Sequence, residues 1–311
     1  MSSSSIHSVI IIGGGPAGLT AGIYTSRAFL HPLIFQGKKP GGQLMGTSFV
    51  ENWPGTKSIM GPKLMIDMQE QVKELGGKLI DETIISVDFN TQPFTITSTK
   101  QTYQAHSIII ATGSSPNTLG CPGETEYWGK GVTTCAICDG AFYPNKKVVI
   151  VGGGDTAMES ASFMSKYTQD ITIVHILDKL TASPIMQKRV LESSTNTFIY
   201  SSTVKEIKGD STRVTSLIIE NIITKETTEI PADVLFLAIG NKPNTAPFQD
   251  QLPLDKMGYI SSTNGTQTSI PGIFVAGDVA DYKYKQAVVS AGAGCMAALD
   301  AQRYLEHKGL I

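Results

Sequence analysis

Two apolar runs, far apart in the chain, are each followed by three glycines and then by a stretch with helical spacing. The first succession comprises apolar residues 9–12, glycines 13–15 and a helical pattern over 19–29; the second comprises 148–151, 152–154 and 158–166. Short continuous apolar runs are typical of strands that are buried on both faces of a parallel sheet. The pattern therefore predicts a strand, a glycine turn and a helix in each place.

Each glycine turn has the composition of a phosphate-binding loop. The first reads Gly13-Gly14-Gly15-Pro16-Ala17-Gly18, and the second reads Gly152-Gly153-Gly154-Asp155-Thr156-Ala157. In such a loop one glycine turns the chain tightly, a second lets the backbone approach a pyrophosphate, and a third lets the helix pack on the strand. A single copy is also compatible with an ordinary glycine-rich turn, but two copies favour two dinucleotide sites.

A second internal similarity indicates duplicated domains. Residues 108–117, IIIATGSSPN, resemble residues 235–244, LFLAIGNKPN, and each segment lies at a similar distance from its glycine loop. Two ordinary exits from strands into loops would also look like this, but the similar spacing favours duplication. Too little chain remains after the second copy for a third domain, so the apolar run 273–275 is expected to return to the first domain.

We therefore predict an α/β fold with two Rossmann-like three-layer dinucleotide-binding domains, the second inserted into the first. Residues 1–116 and 244–311 are expected to form the first domain, and residues 117–243 are expected to form the inserted one. Pro116 and Pro243 mark the two connections, which are expected to act as hinges.

The composition excludes several classes of protein. The 311 residues include 25 Lys and Arg against 27 Asp and Glu, and the formal charge of −2 disfavours a nucleic-acid binder that relies on a basic surface. A hydrophobic content of 41% excludes general disorder. No apolar run approaches the roughly 18 residues of a membrane span. Four cysteines are too few for a disulfide-stapled secreted fold, and the start of the sequence lacks a basic signal region, so we expect a cytoplasmic protein.

Two of the four cysteines, Cys135 and Cys138, are separated by only two residues, so their thiols can close a small ring. Redox chemistry and zinc binding compete for such a pair. A structural zinc site takes four ligands, and the sequence has neither a second pair nor a nearby Cys/His cluster, so no metal site is expected. Two cysteines buried by chance remain an alternative. A redox dithiol is favoured because it also accounts for the flanking nucleotide loops.

In this order and combination, the motifs of the chain resemble those of the low-molecular-weight thioredoxin reductases of bacteria and plants, a family of flavoprotein disulfide reductases. The resemblance runs nearly end to end. Its motifs are the two glycine loops, Gly41-Gly42-Gln43-Leu44, Glu51-Asn52-Trp53-Pro54-Gly55, Ala111-Thr112-Gly113, Cys135-Ala136-Ile137-Cys138-Asp139, and Gly277-Asp278-Val279 with Gln286-Ala287.

The resemblance implies that the first domain holds FAD and the inserted domain holds a pyridine nucleotide, in a homodimer that reduces thioredoxin. By matched position, the residues that contact FAD are Gly13, Gly15, Pro16, Ala17, Gly18, Gln36, Gly37, Gly41, Gly42, Gln43, Leu44, Asn52, Ala111, Thr112, Gly113, Gly277, Asp278, Gln286 and Ala287. Those that contact the pyridine nucleotide are Gly152, Gly154, Asp155, Thr156, Ala157 and His175. One position departs from the pattern: Gln36 stands where an acid hydrogen-bonds a ribose, and its neutral amide can still bond a hydroxyl.

The resemblance also assigns roles to the dithiol segment. Cys138 is expected to face the flavin, Cys135 to attack the disulfide of the partner protein, and Asp139 to donate or accept the proton that the thiols exchange. An alternative for Asp139 is a turn or helix cap before Gly140. In the family the inserted domain rotates about two short linkers, so that the dithiol and the nicotinamide reach the flavin in turn.

The segment after the second strand of the inserted domain departs from the family pattern. NADPH users have His-Arg-Arg-x-x-x-Arg there, and the arginines hold the 2′-phosphate. His175 is retained, but the three arginine positions hold Ile176, Leu177 and Thr181. A phosphate would face aliphatic side chains and the acid Asp178, so we expect NADH rather than NADPH, or another donor. NADPH bound through Lys179, and aliphatic side chains that simply cap the core, remain alternatives.

Other functions remain open. The same flavin and dithiol core can reduce a different protein disulfide, such as that of a peroxiredoxin-linked partner, often with NADH. A flavoprotein that senses redox state without turnover is favoured by the lost arginines, whereas a ferredoxin-NADP reductase is disfavoured because that group lacks the cysteine pair. Cys121 has no partner in the sequence, Cys295 is expected to pack in the core, and neither is assigned a role.

Overall fold

The two apolar runs predicted as strands lie at the centres of two separate sheets. The computed structural model describes residues 6–47, 49–192 and 196–311, and the chain divides into two units. The first unit comprises Met1–Ser115 and Lys242–Ile311, and the second unit comprises Pro116–Asn241. The chain therefore leaves the first unit after Ser115 and returns after Asn241, where the sequence predicted connections at 116 and 243.

Strands and helices alternate at the start of each unit, and a run of strands follows in each. Those before the second unit are β1 (Ile6–Ile12), α1 (Pro16–Arg27), β2 (Leu33–Phe35), α2 (Gly61–Glu74), β3 (Lys78–Ile80), β4 (Ile84–Asp88), β5 (Phe94–Ser98), β6 (Thr102–Ile110) and β7 (Ser114–Pro116). Those of the second unit are β8 (Val132–Thr133), α3 (Ala136–Asp139), β9 (Val148–Val151), α4 (Asp155–Met164), β10 (Ile171–Val174), α5 (Pro184–Leu191), β11 (Asn196–Ile199), β12 (Ser202–Gly209), β13 (Val214–Asn221), β14 (Thr227–Pro231) and β15 (Val234–Leu237). The chain then continues through β16 (Asn241–Pro243), β17 (Ile273–Val275) and α6 (Ala287–His307), with 3₁₀ turns at Gly42–Gly46, Gly140–Phe142 and Ala246–Phe248.

The main sheet of the first unit has the strand order β3-β2-β1-β6-β5-β4, and β17 also pairs with β6. Strands β3, β2, β1, β6 and β17 run parallel, whereas β5 and β4 form an antiparallel hairpin. The long strand β6 serves both parts, because its residues 102–105 pair with β5 and its residues 108–110 pair with β17. The chain thus returns, after the second unit, to the sheet in which it began.

Alternate residues of the central strands enter different cores. Val9 and Ile11 of β1 pack in the core that contains α1, α2 and α6. Ile10 and Ile12 pack on the other face of the sheet, in the core that contains Phe94 of the β4–β5 hairpin. Both faces are therefore buried, which explains why the apolar run is continuous. Each fully buried aliphatic side chain contributes roughly 1.5–3 kcal/mol to folding.

The second unit repeats this three-layer plan. Its parallel sheet has the order β11-β10-β9-β15-β8, and a separate antiparallel sheet has the order β12-β13-β14. Helices α3, α4 and α5 cover one face of the parallel sheet, and the antiparallel sheet covers the other through Val204 and Leu217. The predicted α/β class with two Rossmann-like units is confirmed. The sequence pattern did not predict the β4–β5 hairpin or the antiparallel sheet of β12, β13 and β14.

The first glycine-loop helix begins earlier than the spacing predicted. Helix α1 begins at Pro16 rather than at Leu19, because Gly15 is its N-cap residue. The ring of Pro16 fixes φ near the helical value, and its missing N–H is one that the first turn leaves unpaired in any case. The helix ends at Arg27, and Phe29, which has a φ of 57°, lies outside it.

Helix α6 has 21 residues and packs closely along α1. A Cβ atom on Gly294 would lie 2.1 Å from the carbonyl oxygen of Ala17, so the two helix backbones approach at this glycine. Among the described residues, no helix combines the length and the apolarity that crossing a bilayer requires.

Candidate functional site

The glycine loop of the first unit lies between β1 and α1, and its glycines meet different surroundings. A Cβ atom on Gly13 would lie 2.0 Å from the carbonyl oxygen of Ala111, and one on Gly18 would lie 1.9 Å from that of Gly13. A Cβ atom on Gly15 would meet no heavy atom of the described chain within 4 Å. Gly13 and Gly18 are therefore required for packing, whereas Gly15 leaves open space at the N-terminus of α1, where a pyrophosphate fits.

Most residues predicted to contact FAD converge on this loop. Strands β1, β6 and β17 run parallel, so Gly13, Ala111 and Gly277, which follow them, lie at one edge of the sheet. The segment after β2 returns to the same place, because the N–H of Gly41 donates to the carbonyl of Gly14 at 3.1 Å. This edge, at the carboxyl ends of parallel strands, is where open α/β sheets bind ligands.

Two side-chain hydrogen bonds join further residues of the predicted FAD set. Gln43 Nε2 donates to the carbonyl oxygen of Ser114 at 2.7 Å, and Asn52 Nδ2 donates to Gln286 Oε1 at 3.1 Å. The Oγ atom of Ser114 is buried without a hydrogen-bond partner among the described residues. Since buried hydroxyls are normally paired, this orphaned group beside Gly113 fits a bound polar ligand.

Gln36, at the end of β2, is buried against the loop. Its Nε2 donates to Asp81 Oδ1 at 3.0 Å, and its Oε1 accepts from Gln69 Nε2 at 2.8 Å. Each end of the amide therefore has a partner within the first unit, and one further N–H is left for a ribose hydroxyl. The bond from Gln36 to a ribose stays a prediction.

Asp278, which follows β17, gains a partner that the sequence did not indicate. Ser290 Oγ of α6 donates to Asp278 Oδ1 at 3.0 Å, and burial raises the pKa of the carboxyl group. The only sequence signal for Ser290 is its place one turn after Ala287. Taken together, the loop, the open approach at Gly15 and the orphaned Ser114 hydroxyl fit FAD.

The glycine loop of the second unit, between β9 and α4, has a similar geometry. A Cβ atom on Gly152 would lie 2.4 Å from the carbonyl oxygen of Ala238. A Cβ atom on Gly154 would meet only Thr181 Oγ1, at 3.8 Å, among the described residues. Ala157, at the third glycine position, is buried. The loop therefore fits the pyrophosphate of a second dinucleotide.

His175 lies at the end of β10, directly against this loop. A Cβ atom on Gly153 would lie 2.4 Å from His175 Nε2. The side chain is buried, and Nε2 has no hydrogen-bond partner among the described residues. Burial lowers the pKa of His175 below its ordinary value, so the ring is neutral at pH 7. An unpaired neutral nitrogen at this position fits a ligand hydroxyl.

Cys135 and Cys138 form a disulfide, with 5.3 Å between their Cα atoms. Both residues are half-buried, whereas Ile137 between them is exposed. Cys135 is the N-cap residue of α3, and its Sγ accepts a hydrogen bond from the N–H of Cys138 at 3.2 Å. Among the described residues, no three His, Cys, Asp or Glu side chains gather as metal ligands. The structure thus joins the two cysteines whose spacing predicted a dithiol pair.

Asp139 closes the same short helix, and burial raises the pKa of its carboxyl group. Thr133 Oγ1 donates to Asp139 Oδ2 and also accepts from the N–H of Cys135 at 3.3 Å. Sequence reasoning missed Thr133. Its position two residues before Cys135 is a weak signal, because Thr side chains commonly bond the backbone two residues ahead.

Known proteins with similar sequences and folds identify the family. The family model described as pyridine nucleotide-disulphide oxidoreductase matches residues 7–294. The chain belongs to this family. It is 50% identical over 310 residues to the thioredoxin reductase of Chlamydia pneumoniae, covering 96% of this chain and 99% of that protein. It is 44% identical over 309 residues to that of Coxiella burnetii, covering 96% and 97%.

A solved structure agrees with this assignment. Thioredoxin reductase from Giardia duodenalis matches with a TM-score of 0.92 and 43% identity, covering 97% of this chain and 100% of that one. As a pyridine nucleotide-disulphide oxidoreductase, the protein is an enzyme that uses FAD and a pyridine nucleotide. The fit of the two glycine loops to two dinucleotides agrees with this chemistry.

In this oxidoreductase, the segment after His175 folds back on the second glycine loop. The N–H groups of Thr181 and Ala182 donate to the carbonyl oxygen of Gly153 at 2.8 and 2.9 Å. The side chains of Ile176 and Leu177 are 52% and 46% exposed, so neither fills the core. The positions at which the family's NADPH users carry arginines are therefore held near the loop but present no charge to a phosphate.

The two remaining cysteines of the oxidoreductase lie outside these sites. Burial, together with Glu124 and Glu206, raises the pKa of the Cys121 thiol to about 11, so this thiol is protonated at neutral pH. Cys295 lies half-buried on α6, and its thiol interacts with the Tyr24 side chain. Neither cysteine has a role in the arrangement described above.

Proposed function

We propose that this oxidoreductase is an FAD-dependent thioredoxin reductase, which passes two electrons from a reduced donor through FAD and the Cys135/Cys138 dithiol to oxidised thioredoxin. The observation that carries the proposal is the Cys135–Cys138 disulfide beside the half-buried Asp139, in a unit with its own nucleotide loop. Relatives named thioredoxin reductase cover nearly the whole chain, which supports the same substrate. We place the protein in the cytoplasm, where a dithiol is kept reduced.

The dithiol chemistry follows from the two cysteines. In the reduced enzyme the Cys135 thiolate attacks one sulfur of the thioredoxin disulfide, which breaks that bond and forms a mixed disulfide. The Cys138 thiolate then attacks Cys135 Sγ, closes the Cys135–Cys138 bond and releases the second thioredoxin thiolate. Two electrons pass to thioredoxin. The two protons that the enzyme thiols lose are gained by the two thioredoxin thiolates. Asp139 accepts and returns these protons.

The regeneration of the dithiol needs a two-electron donor. When bound, FAD supplies the relay between a nicotinamide and the disulfide. The residues that would hold FAD are the Gly13–Gly18 loop and Asp278, at the edge of the sheet where β1, β6 and β17 end, and Asn52, which is bonded to Gln286. Thr112 and Gly113 follow β6 at this same edge.

We further propose NADH as the preferred donor. The neutral ring of His175, with an unpaired Nε2, suits a ribose hydroxyl better than a dianionic phosphate. Ile176 and Leu177 offer no hydrogen bond, and the neighbouring Asp178 carries a negative charge. Each lost charge-assisted bond is worth roughly 1.5–3 kcal/mol, so NADPH is expected to bind at least about 100-fold more weakly than in an arginine-bearing relative.

The two connections between the units are proposed as hinges. On the side of the first unit, Asn244 exchanges hydrogen bonds with Thr112 and Gly113 at 2.8–3.0 Å. On the side of the second unit, Asn117 donates to the carbonyls of Ile239 and Gly240, at 3.0 Å each. These contacts tie the connections together within each unit and leave only a few residues to change conformation, which supports hinge motion there.

We also propose that the protein is a homodimer. Helix α6 carries apolar side chains that are more than one-third exposed, namely Val288, Val289, Met296 and Leu299. Tyr24 on the neighbouring helix α1 is exposed to a similar extent. An apolar surface of this kind on a single chain supports contact with a second copy.

The donor and the substrate are tested in one anaerobic experiment. The oxidised holoenzyme is mixed with NADH, NADPH or reduced ferredoxin, bleaching of the flavin absorbance is followed, and oxidised thioredoxin is then added. NADH is expected to bleach the flavin at the lowest concentration, and thioredoxin is expected to restore the absorbance. Equal bleaching by NADPH would contradict the donor proposal alone. A reduced enzyme that is reoxidised by a peroxiredoxin-linked protein but not by thioredoxin would contradict the substrate proposal.

A further inference from the structure

The hydroxyl group of Thr133 connects the two functional parts of the dithiol segment. Thr133 is the second residue of β8, and its Oγ1 contacts both the carboxylate of Asp139 and the backbone N–H of Cys135. A backbone N–H can only donate, so it uses a lone pair of the hydroxyl oxygen. The single hydroxyl proton is therefore directed to Asp139. Among the described residues, no other side chain donates a hydrogen bond to this carboxylate.

The other groups around Asp139 are mostly apolar. The adjacent Gly140 packs against Phe163 and Met164 of α4, and a Cβ atom on it would lie 2.6 Å from Met164 Sδ. Tyr143, after the following 3₁₀ turn, interacts electrostatically with the carboxylate: burial, together with the charge of Asp139, raises the pKa of its phenol. The two joined cysteines precede Asp139 directly in the chain, and the N–H of Asp139 donates to the carbonyl oxygen of Cys135 at 3.1 Å.

Two opposing effects set the charge state of Asp139. Burial raises the pKa of its carboxyl group, because the ionised form loses hydration. The hydrogen bond from Thr133 lowers the pKa, because it stabilises the ionised form. The same bond restricts the rotation of the carboxyl group, whose Oδ2 is held toward β8.

We propose that Thr133 is a positioning residue for Asp139: its hydroxyl group holds the carboxyl group at the dithiol turn through a hydrogen bond to Oδ2. This inference rests on the proposed role of Asp139 in proton exchange with the dithiol. In that role the carboxylate accepts the proton that a thiol loses on becoming a thiolate, and it returns a proton to the thiolate that leaves in the exchange. Each proton that Asp139 takes is given back. Because the hydrogen bond from Thr133 affects the charge state of Asp139, Thr133 influences the pH range in which both transfers occur.

The test is the pH dependence of a single turnover. Reduced holoenzyme is mixed with excess oxidised thioredoxin between about pH 5 and pH 9, and the rate of the single turnover is measured at each pH. The part of this pH profile that Asp139→Asn alters is the part that depends on Asp139. Thr133→Val removes the donor to the ionised carboxylate, so the pKa of Asp139 rises. That part of the profile is expected to move to higher pH by about one to two units.

Matched variants separate positioning from a merely structural effect. Thr133→Ser keeps the hydroxyl group and is expected to keep the wild-type profile, and Thr134→Val, at the adjacent half-buried position, is expected to leave it unchanged. FAD content and the unfolding temperature are measured for each variant, and Thr133→Ala replaces Thr133→Val if the latter does not fold. An unshifted profile in a folded Thr133→Val or Thr133→Ala variant, which lacks the hydroxyl group, overturns the inference. An unchanged profile in Asp139→Asn overturns it too, by removing the proton-transfer role on which it rests.

Discussion

The cysteines of the described chain differ in what surrounds them, and this difference decides which of them can react. Cys135 and Cys138 are joined, half-buried and next to a carboxyl group. In half-buried Cys121, by contrast, partial burial and two nearby glutamates raise the pKa of the thiol to about 11. Since the thiolate is the nucleophile in disulfide exchange, the Cys121 thiol is not suited to exchange at neutral pH.

A prediction at this scale concerns Cys138→Ser. The variant cannot close the Cys135–Cys138 bond, so NADH-dependent reduction of thioredoxin is expected to fall roughly 1,000-fold. FAD content and flavin bleaching are expected to persist, because Cys138 is not part of either glycine loop. The matched control is Cys295→Ser, which should keep wild-type turnover. Full turnover in Cys138→Ser would show that the dithiol does not carry the electrons.

Asp155 leads to a second prediction for a single residue. Its carboxylate lies in the first turn of α4, and its Oδ1 accepts from the N–H of Ser183 at 2.6 Å. Asp155→Asn keeps an acceptor for Ser183 but removes a negative charge from the proposed pyrophosphate site. The affinity for NADH, measured by titration, is expected to rise about fivefold. Asp155→Ala loses the bond to Ser183 as well, and an unchanged affinity in both variants would place the pyrophosphate elsewhere.

At the scale of elements, the glycines of the turn between β1 and α1 have two different functions, namely packing and leaving space for a ligand. Gly18 packs against the carbonyl of Gly13, whereas Gly15 faces open space. Gly18→Ala is therefore expected to lower the free energy of unfolding by about 1–3 kcal/mol, because its methyl group collides with backbone. Gly15→Ala is expected to change stability by less than about 1 kcal/mol but to weaken FAD binding at least tenfold. Thermal unfolding of the apoprotein and FAD titration measure the two effects, and a reversed order would contradict the assignment.

The segment after β10 carries a prediction for donor choice. Its backbone is held by the bonds of Thr181 and Ala182 to Gly153, which do not depend on side chains. Replacement of Ile176, Leu177 and Thr181 by arginine is therefore expected to leave the segment in place. The triple variant should bind NADPH at least about 100-fold more tightly than the wild type, as measured by bleaching at limiting nucleotide. A variant with three lysines serves as the control for charge without planar bidentate geometry.

At the scale of the whole molecule, the exposed apolar face of α6 leads to a prediction about assembly. The native protein is expected to sediment with twice the mass of one chain. Met296→Glu combined with Leu299→Glu places charges on that face and should yield monomers. Ile223→Glu is the matched control, because Ile223 is also exposed, at 73%, but belongs to the second unit. A wild-type protein that sediments as a single chain would contradict the homodimer proposal.

Much of the architecture was predictable from the chain alone. The successions of strand, glycine turn and helix are local, since the apolar run, the glycines and the helical spacing are contiguous, and the fold class follows from their repetition. The Cys135–Cys138 pair was likewise readable from spacing. The start of α1 was placed three residues late, because the helical period becomes visible only after the capping glycine and Pro16.

Other features depended on groups that are brought together from separate elements. The tertiary structure alone placed Ser290 on Asp278 and gave Gln36 the partners Asp81 and Gln69. It also left Nε2 of His175 buried with no hydrogen-bond partner in the part of the chain that is described. The hydrogen bonds of Thr133 to the carboxylate of Asp139 and to the N–H of Cys135 likewise became visible only in the fold. The sequence determined which chemical groups this protein has and in which local turns they lie. Their hydrogen-bond partners, burial and charge states were decided by the tertiary structure, because these depend on distances across the fold that no local pattern contains.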